Sequence, residues 1–575
     1  MIESDWQIQT LTEEQQVVLK RLVRELNISE LSAQILVDRG LTTPEAARAF
    51  IRPKMEDLHD PFLMRDMEQA VLRLHHAIEK HERIMVYGDY DVDGITAVAL
   101  MYSYLRHLTD NLIFYIPDRH SEGYGISFKG IDTAQAEGCQ LIIALDCGIK
   151  AVDKVEYATE RNIDFIICDH HTPGDSIPKA KAVLNMKRAD CPYPFKELSG
   201  CGVGFKLAQA YTERYCLDRQ WIYQLLPLLA MSIASDIVPI VDENRILASF
   251  GLKHINKQPS IGLQAIMRVA GMTDRNITIS DLVYKIGPRI NAAGRMRSGV
   301  EAAQLLITND PVFAEQLAQD INEHNNERRD CDNKTTEEAL AQLHADPDND
   351  ALHTTVVYAK GWHKGVVGIA ASRLTEYYYR PTIVLTLDDE SDLISGSARS
   401  VSDFDIYSAI DSCSDLLTNF GGHMFAAGLS MKKERLPEFK RRFEAYVAAH
   451  IRPEQLRPTI QVEAEIAFDE ITPQFYNILR HLEPFGPGNP RPVFVTRNVI
   501  NNRNTRRVGR TGEHLKLDLT DRTAAISGIA FGEGDKALYL QNGNAIDICY
   551  ELEENTFNHI TSIQLRPLEI RLKQQ

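Results

Sequence analysis

Between about Ile84 and Leu184, short runs of β-forming apolar residues alternate with helix-like segments. The runs are IMVY, LIFYI, LIIAL, DFIIC and AVL, and the segments between them include ITAVALMYSYLRHL and KAVDKVEYATERN. Strands that are apolar throughout are buried on both faces, which is typical of a parallel sheet covered by helices. The alternation therefore predicts an α/β domain built on a parallel sheet.

Carboxylate and imidazole side chains directly follow three of these runs. In an open parallel sheet the carboxyl ends of the strands meet at one edge, and ligands bind in the crevice there. Asp236 follows a later helical stretch, and we expect it to reach the same edge. The residues that follow the runs are Asp89, Asp91, Asp93, Asp146, Asp169, His170 and His171.

The stretch VYGDYDVDGITA matches the D-x-D-x-D-G opening of a calcium-binding EF-hand loop. An EF-hand needs a glutamate at the twelfth position, where this sequence has Leu100, and the stretch follows a strand rather than a helix. Carboxylates grouped with imidazoles suit instead two ions such as Mn²⁺ or Mg²⁺. Two such ions about 4 Å apart serve in-line phosphoryl displacement. We therefore predict a catalytic metal pair.

The composition restricts the class of protein further. A formal net charge of −17 counts against a purely electrostatic nucleic-acid binder, although a groove that touches phosphate can still be basic. Nine scattered cysteines without C-x-x-C pairs argue against disulfides or structural zinc and favour a reducing, cytoplasmic compartment. Neither a signal peptide nor a transmembrane run is predicted.

The 575 residues predict several domains. A polar, charged stretch from about 311 to 345 suggests a helix that bridges two domains, and a second α/β pattern follows it. After EPFGPGNPRP, short alternating runs suggest a small β-barrel. The predicted divisions are an N-terminal helical segment (1–60), a catalytic α/β domain (61–250), a helical region with the connecting helix (251–345), a smaller α/β domain (346–450) and an OB-like nucleic-acid-binding barrel (451–575).

Motifs along essentially the whole chain resemble those of the DHH phosphoesterases. Asp169-His170-His171 matches the DHH signature, and GDYDVDG, LDCG and ASDIVPI look like the other motifs of that family. GGHMFAAG resembles the motif of the associated DHHA1 domain. GPRINAAGRM, GWHKGVVGIAASRL, GSARS and PFGPGNPRPVF are similar to the bacterial RecJ branch.

This resemblance implies an exonuclease that digests single-stranded DNA from its 5′ end to mononucleotides, in repair (including mismatch repair) and recombination. It also implies that His171 contacts the scissile phosphate and that Asp169 orients the histidines, a role that carboxylates commonly have around metal sites. One ion would be held by Asp91 and Asp146, with Asp89 in support, and the other by Asp93, Asp146, His170 and Asp236.

Basic residues elsewhere suit contacts to a phosphate backbone, although each alone would also suit a surface ion pair. We expect GSARS to form a small-residue turn in which Ser397 and Arg399 bind phosphate. The resemblance implies that this is the 5′-terminal phosphate, with Arg119 assisting. RNTRRVGR is typical of an electrostatic guide for single strands. Its arginines are Arg503, Arg506, Arg507 and Arg510, and further candidate nucleic-acid contacts are Arg289, Asn291, Arg295 and His423. In GWHKGVVGI, either Trp362 or His363 would suit stacking on or bonding to a nucleotide, and the glycine spacing would equally suit helix packing alone.

Two other functions fit parts of the pattern. A DHH enzyme acting on nanoRNA, cyclic dinucleotides or pyrophosphate would need neither the long N-terminal region nor the barrel. A non-catalytic replication scaffold would be expected to lose some of the metal ligands, and here all are present. The resemblance further implies a monomer that cooperates with a single-strand-binding protein and a RecQ-type helicase, without a membrane.

Overall fold

The computed structural model describes residues 3–119, 121–296, 298–387, 392–557 and 560–573. Its N-terminal segment is a short strand followed by three helices, the first of which starts at a capping box between Thr12 and Gln15. The strand pairs in parallel with Thr459–Val462, near the other end of the chain. The elements are β1 (Asp5–Ile8), α1 (Glu13–Leu26), α2 (Glu30–Asp38) and α3 (Pro44–Ile51).

The predicted parallel sheet follows. Its elements are α4 (Met67–Glu79), β2 (Arg83–Gly88), α5 (Val92–Leu105), β3 (Leu112–Tyr115), α6 (Phe128–Ala136), β4 (Cys139–Leu145), α7 (Val152–Thr159), β5 (Asp164–Cys168), β6 (Ala182–Leu184), α8 (Gly200–Arg214), α9 (Gln220–Tyr223) and α10 (Leu226–Ser235). The strand order is β3-β2-β4-β5-β6, with every neighbouring pair parallel. Ile143 packs in the core with α5 and α8, whereas Ile142 packs with α6 and α7, so both faces are covered.

A helical region connects this sheet to the second α/β domain. It comprises α11 (Asp242–Lys257), α12 (Ile261–Val269), α13 (Ile279–Asp281), a π-helical turn (Leu282–Ile286), α14 (Gly287–Met296), α15 (Gly299–Ile307) and α16 (Pro311–Ala345). Helix α16 has 35 residues and is therefore ~52 Å long. It contacts α12, α14 and α15, and also α17 (Lys364–Tyr378) of the next domain. The bridging helix predicted from the sequence is present.

The second α/β domain has a five-stranded sheet. Besides α17, its elements are β7 (Thr355–Ala359), β8 (Thr382–Leu387), β9 (Leu393–Arg399), α18 (Ile406–Asp411), β10 (Asn419–His423), β11 (Ala426–Lys432) and α19 (Leu436–His450). The strand order is β10-β11-β9-β8-β7. The prediction of a turn at GSARS was wrong, because Ser397 and Arg399 belong to strand β9. The small residues there permit close pairing, since a Cβ on Gly396 would collide with the Val384 carbonyl. GGHMFAAG forms a β-hairpin from β10 and β11.

The C-terminal region is a seven-stranded β structure in the order β13-β14-β18-β19-β17-β16-β15, with a further β14–β16 pairing. Leu22 and Leu36 of the N-terminal helices share its core with Phe494 and Tyr550, so the two ends of the chain pack together. The α/β architecture with a C-terminal barrel is confirmed. Its elements are β12 (Thr459–Val462), β13 (Ala464–Glu465), α20 (Pro473–His481), β14 (Val493–Asn501), β15 (Arg506–Val508), β16 (His514–Thr520), β17 (Ala525–Ala530), α21 (Ala537–Gln541), β18 (Ile546–Phe557) and β19 (Ile560–Leu572).

Among the helices in these described ranges, none combines the length and the apolar character needed to cross a membrane.

Candidate active site

Four chain segments meet at the carboxyl edge of the parallel sheet. His170, which follows β5, is central to the cluster and is buried. Its Nε2 lies 3.3 Å from Asp146 Oδ1, 3.5 Å from Asp236 Oδ2 and 3.9 Å from Asp93 Oδ2. Asp236 directly follows α10, so this helix delivers the carboxylate that the sheet itself does not provide. The predicted convergence of Asp93, Asp146, His170 and Asp236 is therefore present in the geometry.

The polar atoms of this cluster fit divalent ions. Within the described residues, neither ring nitrogen of His170 makes a hydrogen bond, and the same holds for both carboxylate oxygens of Asp89 and for Asp146 Oδ1. Leaving such buried groups unpaired is costly unless something binds them. Two sets of donors lie close enough to share an ion, namely Asp146 with His170 and His171, and Asp93 with His170 and Asp236. A hard cation with oxygen and imidazole ligands would satisfy these atoms.

Backbone N–H groups and a buried serine fix the position of Asp93. Its carboxylate accepts hydrogen bonds from the amides of Gly200 at 2.6 Å and Cys201 at 2.8 Å, at the start of α8. It also accepts one from Ser232 Oγ at 2.7 Å. Asp91 instead caps α5 by accepting from the Gly94 amide at 3.0 Å. Asp91 and Asp93 of the VYGDYDVDGITA stretch are thus each held by hydrogen bonds, and Asp93 lies beside His170.

Mutual repulsion and burial raise the pKa values of the clustered carboxyl groups. Burial, followed by the charge of Asp91, raises the pKa of Asp89 to about 7. Burial, with the charges of Asp93 and Asp91, raises the pKa of Asp236 to about 9. The pKa of Asp146 is raised well above its ordinary value for the same two kinds of reason. Burial lowers the pKa of His170, which favours the neutral imidazole that binds metal. The site therefore attracts positive charge.

His171 lies at the solvent side of the cluster. Its Nδ1 is 2.8 Å from Asp169 Oδ1, and its Nε2 is 3.0 Å from the hydroxyl of Tyr124. Burial alone would lower the pKa of His171, but the hydrogen bond and charge of Asp169 outweigh it and raise that pKa. Asp169 also accepts from the Ile149 amide at 2.9 Å and makes no hydrogen bond to His170 among the described residues. Asp169 therefore positions His171 alone, rather than both histidines.

Two residues that contact the site, Tyr124 and Ser232, were not predicted from the sequence. Tyr124 belongs to the IPDRHSEGYG stretch, in which only Arg119 was predicted to contact substrate. Nothing in the spacing of Tyr124 indicates that its hydroxyl bonds to His171. Ser232 is one of the few hydroxyl residues in the apolar helix α10, and that contrast is a usable signal. A lone polar side chain on a buried helix usually has a specific hydrogen-bond partner, which here is Asp93.

The arginines predicted near the site differ in their surroundings. The Arg119 guanidinium lies 5.2 Å from the centre of the Tyr90 ring, beside the aspartate stretch. Arg289 and Asn291 lie on α14, and Arg289 Nε donates to Asn322 Oδ1 at 3.0 Å. Burial and the neighbouring Arg329 and Arg328 lower the pKa of Arg289, so this arginine lies in a region of positive charge. Arg295 is on the same helix, and its side chain lies outside the part of the chain that the structure describes.

The second α/β domain places Arg399 beside Ser397. Arg399 Nη1 donates to Ser397 Oγ at 2.6 Å, and within the described ranges Arg399 has no carboxylate partner. Burial lowers the pKa of Arg399. His423 is exposed on the hairpin, where its Nδ1 accepts from the Phe425 amide at 3.2 Å. Trp362 is buried, and its Nε1 donates to Glu338 at 2.7 Å, so of the two candidates in GWHKGVVGI this side chain is not placed to stack on a nucleotide.

The basic cluster of the C-terminal β region is exposed. Arg507 Nε donates to the Gly534 carbonyl at 2.8 Å, which fixes the strand β15. All four side chains are accessible to solvent, so they are available for phosphate contacts. They are Arg503, Arg506, Arg507 and Arg510.

The aspartates and histidines that follow the strands of the parallel sheet lie within a match to the DHH family, which gives the class of the protein. The sequence matches the DHH family N-terminal domain over residues 83–233, the DHHA1 domain over 350–449 and the RecJ OB domain over 462–568. The chain belongs to the RecJ family.

Relatives and solved structures agree with that assignment. The single-stranded-DNA-specific exonuclease RecJ of Bacillus subtilis is 36% identical over 562 residues, which cover 97% of this chain and 70% of the relative. That of Escherichia coli is 32% identical, over 87% of this chain and 89% of the relative. A crystal structure of RecJ from Thermus thermophilus in complex with Mn²⁺ matches with a TM-score of 0.83 and 27% identity, over 99% of this chain and 80% of that one. A similar structure from that organism contains Mg²⁺.

Proposed function

We propose that this protein is a metal-dependent exonuclease that degrades single-stranded DNA from its 5′ end and releases mononucleotides. The observation that carries the proposal is the buried His170, which lies within 3.9 Å of three carboxylates and makes no hydrogen bond to any described residue. Such a set of ligands serves phosphodiester hydrolysis with divalent ions. Family membership supports the same activity, since the RecJ relatives are single-stranded-DNA-specific exonucleases.

Two ions, Mn²⁺ or Mg²⁺, suit this cluster of carboxylates and imidazoles. Asp93, Asp146, His170 and Asp236 would hold one, and Asp91 and Asp146, supported by Asp89, would hold the other. When bound, the ions supply an activated water and stabilise the charge that develops on the phosphate oxygens. The backbone amides at Gly200 and Cys201 hold the carboxylate of Asp93 in place without a rearrangement.

The chain's own cations act on the substrate. His171 Nδ1 donates a hydrogen bond to Asp169 Oδ1, which leaves Nε2 facing the Tyr124 hydroxyl. A scissile phosphate that displaces or shares the Tyr124 contact would accept a charge-assisted hydrogen bond from Nε2. Arg119, next to Tyr90, adds positive charge on the same side. Arg289, Asn291 and Arg295 on α14 are proposed to contact the backbone of the strand.

A binding site that accepts only the 5′ end of the DNA strand would set the direction of digestion. Ser397 and Arg399 would hold the 5′-terminal phosphate, and His423 on the neighbouring hairpin would contact the terminal nucleotide. Arg399 is suited to this because it is half-buried beside Ser397 without a carboxylate partner in the described part of the chain. The exposed arginines of RNTRRVGR would guide the single strand on the barrel.

The wider setting is proposed on the same basis. We place the protein in DNA repair and recombination, including mismatch repair, as a cytoplasmic monomer that works with a single-strand-binding protein and a RecQ-type helicase. We keep the boundaries at 60, 250, 345 and 450, which separate five proposed domains. All nine cysteines, each within the described residues, are free thiols, which supports a reducing compartment.

The activity is tested by offering the purified protein labelled single-stranded DNA, duplex DNA and RNA. With Mn²⁺ we expect single-stranded DNA to be shortened from its 5′ end, with mononucleotides as the product. Chelation of the metal with EDTA should stop the reaction, because the carboxylate cluster alone provides no activated water. Equal digestion of blunt duplex, or digestion that persists in EDTA, would contradict the proposal.

The end-binding site is tested by replacing Arg399 with alanine. Loss of a charge-assisted contact to phosphate costs about 1.5–3 kcal/mol, so KM for 5′-phosphorylated strands should rise about 10- to 150-fold. Strands with a 5′-hydroxyl should be affected far less, and the affinity for Mn²⁺ should not change. Arg441→Ala is a matched control, because its partner Glu438 and its exposed position lie in the same domain. An equal effect on both kinds of end would exclude this role for Arg399.

A further inference from the structure

A groove of about 1090 Å³ lies between the helical region and the C-terminal β region. One wall is formed by α11 and by the π-helical turn Leu282–Ile286. The opposite wall is formed by the end of α20, by strands β18 and β19, and by residues 484–490, which we name the Pro-Gly loop. None of the residues predicted from the sequence to contact nucleic acid lines this groove.

Both walls are anchored beside the metal centre. On one side, the Ile240 amide donates to the Pro487 carbonyl at 2.7 Å, which holds the Pro-Gly loop to the chain four residues after Asp236. On the other side, Gly287 ends the π-helical turn against Ser235, and a Cβ at Gly287 would lie 2.9 Å from Ser235 Oγ. Each wall of the groove therefore belongs to a segment that contacts the chain close to Asp236.

The groove is positively charged although the chain as a whole is acidic. Five cationic and two anionic residues line it, which gives a net charge of +3 (5 − 2), against −17 for the chain. Lys253 and Lys257 project from α11 and form no salt bridge with any residue in the described ranges. The other charged residues that line the groove are Arg480, Arg491, Arg566, Glu483 and Glu551. Such a local excess of cations attracts a polyanion.

An aromatic side chain is presented at the same place. Tyr284 is 77% exposed and lies in the π-helical turn, a conformation that is rare and frequent at functional sites. A large apolar ring held in solvent is available to stack on a base, and stacking on aromatic rings combined with a cationic groove is how proteins bind single strands.

We propose that this groove binds the segment of the single strand on the 3′ side of the scissile phosphate. The inference rests on the proposed function, in which the 5′ end occupies the site at Ser397 and Arg399 in the other domain. The remaining strand must then leave the metal centre elsewhere, and this groove offers cations and a stacking ring. The exposed aromatic ring beside the cations favours the substrate strand over an acidic protein partner as the occupant, because a base can stack on it.

The test compares the wild-type protein with a groove variant, Lys253→Gln/Lys257→Gln/Tyr284→Ala. All three side chains are exposed, so the variant should fold. The matched control, Lys432→Gln/Lys433→Gln/Tyr377→Ala, makes the same changes at exposed positions of the second α/β domain. Affinity is measured in EDTA with 3′-labelled, 5′-phosphorylated strands of about 4 and about 16 nucleotides, the range of single oligonucleotide-binding folds. Hydrolysis of the short strand is measured separately with Mn²⁺.

We expect the groove variant to bind the long strand about tenfold to a hundredfold more weakly, from loss of stacking and of two phosphate contacts. The slope of the logarithm of the binding constant against the logarithm of salt concentration should become less steep by about 1.4, or about 0.7 per lost phosphate contact. Binding and hydrolysis of the short strand should match those of the wild type, and the control variant should behave as the wild type with both strands.

Three outcomes would overturn the assignment. Wild-type affinity of the groove variant for the long strand, with normal hydrolysis of the short one, excludes the groove as the strand's path while leaving the proposed function intact. If that affinity is unchanged but the variant alone loses binding to a polyglutamate peptide, the groove belongs to an acidic protein partner. Absence of hydrolysis by the wild type itself removes the proposed function, and this inference with it.

Discussion

Replacing Asp146 with asparagine should reduce kcat for single-stranded DNA by at least about 10³-fold, because the several kcal/mol supplied by correctly held ions would be lost. Asp146 is buried, and its Oδ1 lies 3.3 Å from His170 Nε2 and 4.0 Å from His171 Nδ1. It is the one residue proposed to serve both ions. The measurements are the initial rate of mononucleotide release and the affinity for Mn²⁺ by calorimetry.

Stability distinguishes a catalytic effect from a damaged fold. Burial and the charges of Asp93 and Asp91 raise the pKa of Asp146, so its ionised form is disfavoured in the metal-free protein. Asparagine removes that charge, and the metal-free variant should unfold at a temperature no lower than the wild type. Asp153→Asn, at an exposed position of α7, is the matched control and should keep full activity. Lower metal-free stability of Asp146→Asn, or activity within about tenfold of the wild type, would contradict this assignment.

Replacing Lys206 with methionine should destabilise the protein by about 3–5 kcal/mol, because it leaves a buried carboxylate without its cation. Lys206 and Glu243 are fully buried, and Lys206 Nζ donates to Glu243 Oε1 at 2.9 Å and to the His59 carbonyl at 2.7 Å. The same carboxylate accepts from the Tyr193 hydroxyl at 2.5 Å. This network joins α8, α11 and the linker before α4, so chemical denaturation should show the loss in the catalytic domain.

Two further variants distinguish the cost of the unpaired Glu243 charge from the cost of lost side-chain packing at Lys206. Lys206→Met/Glu243→Gln removes both charges, and we expect it to recover a substantial part of the loss, as buried ion pairs replaced as a whole often do. Lys181→Ala removes an exposed lysine 3.5 Å from Asp164 and should cost less than about 1 kcal/mol. A Lys206→Met effect as small as that of Lys181→Ala would show that water reaches Glu243.

The parallel sheet and the metal cluster could be predicted from the sequence for a physical reason. Fully apolar strands separated by helices leave few alternatives to a parallel sheet, and parallel strands bring their carboxyl ends to one edge. Asp146 and His170 follow directly from that geometry. The position of Asp236 could not be predicted from strand periodicity, because it depends on how α10 packs against the sheet. It was predicted from the resemblance of ASDIVPI to a family motif.

Other features depend on contacts that spacing does not encode. GSARS has the composition of a turn, but its small residues serve close strand pairing, which is visible only once β8 lies beside it. The polar neighbours of Trp362 in GWHKG suggest an exposed aromatic side chain, but tertiary packing buries it against α16. The groove beside Asp236 arises between segments some 230 residues apart in sequence, as the Ile240–Pro487 hydrogen bond illustrates, so no local pattern announces it.

The pairing of the two chain ends has a consequence for synthesis. Asp5 pairs with Thr459, and the N-terminal helices complete a core whose other half ends near Ile570. At ~5–20 residues per second, the ribosome takes roughly 20–90 s to make the intervening chain. For that period the apolar faces of α1 and α2 lack the residues that bury them in the folded protein. We therefore expect the N-terminal segment of the nascent chain to be a binding site for chaperones.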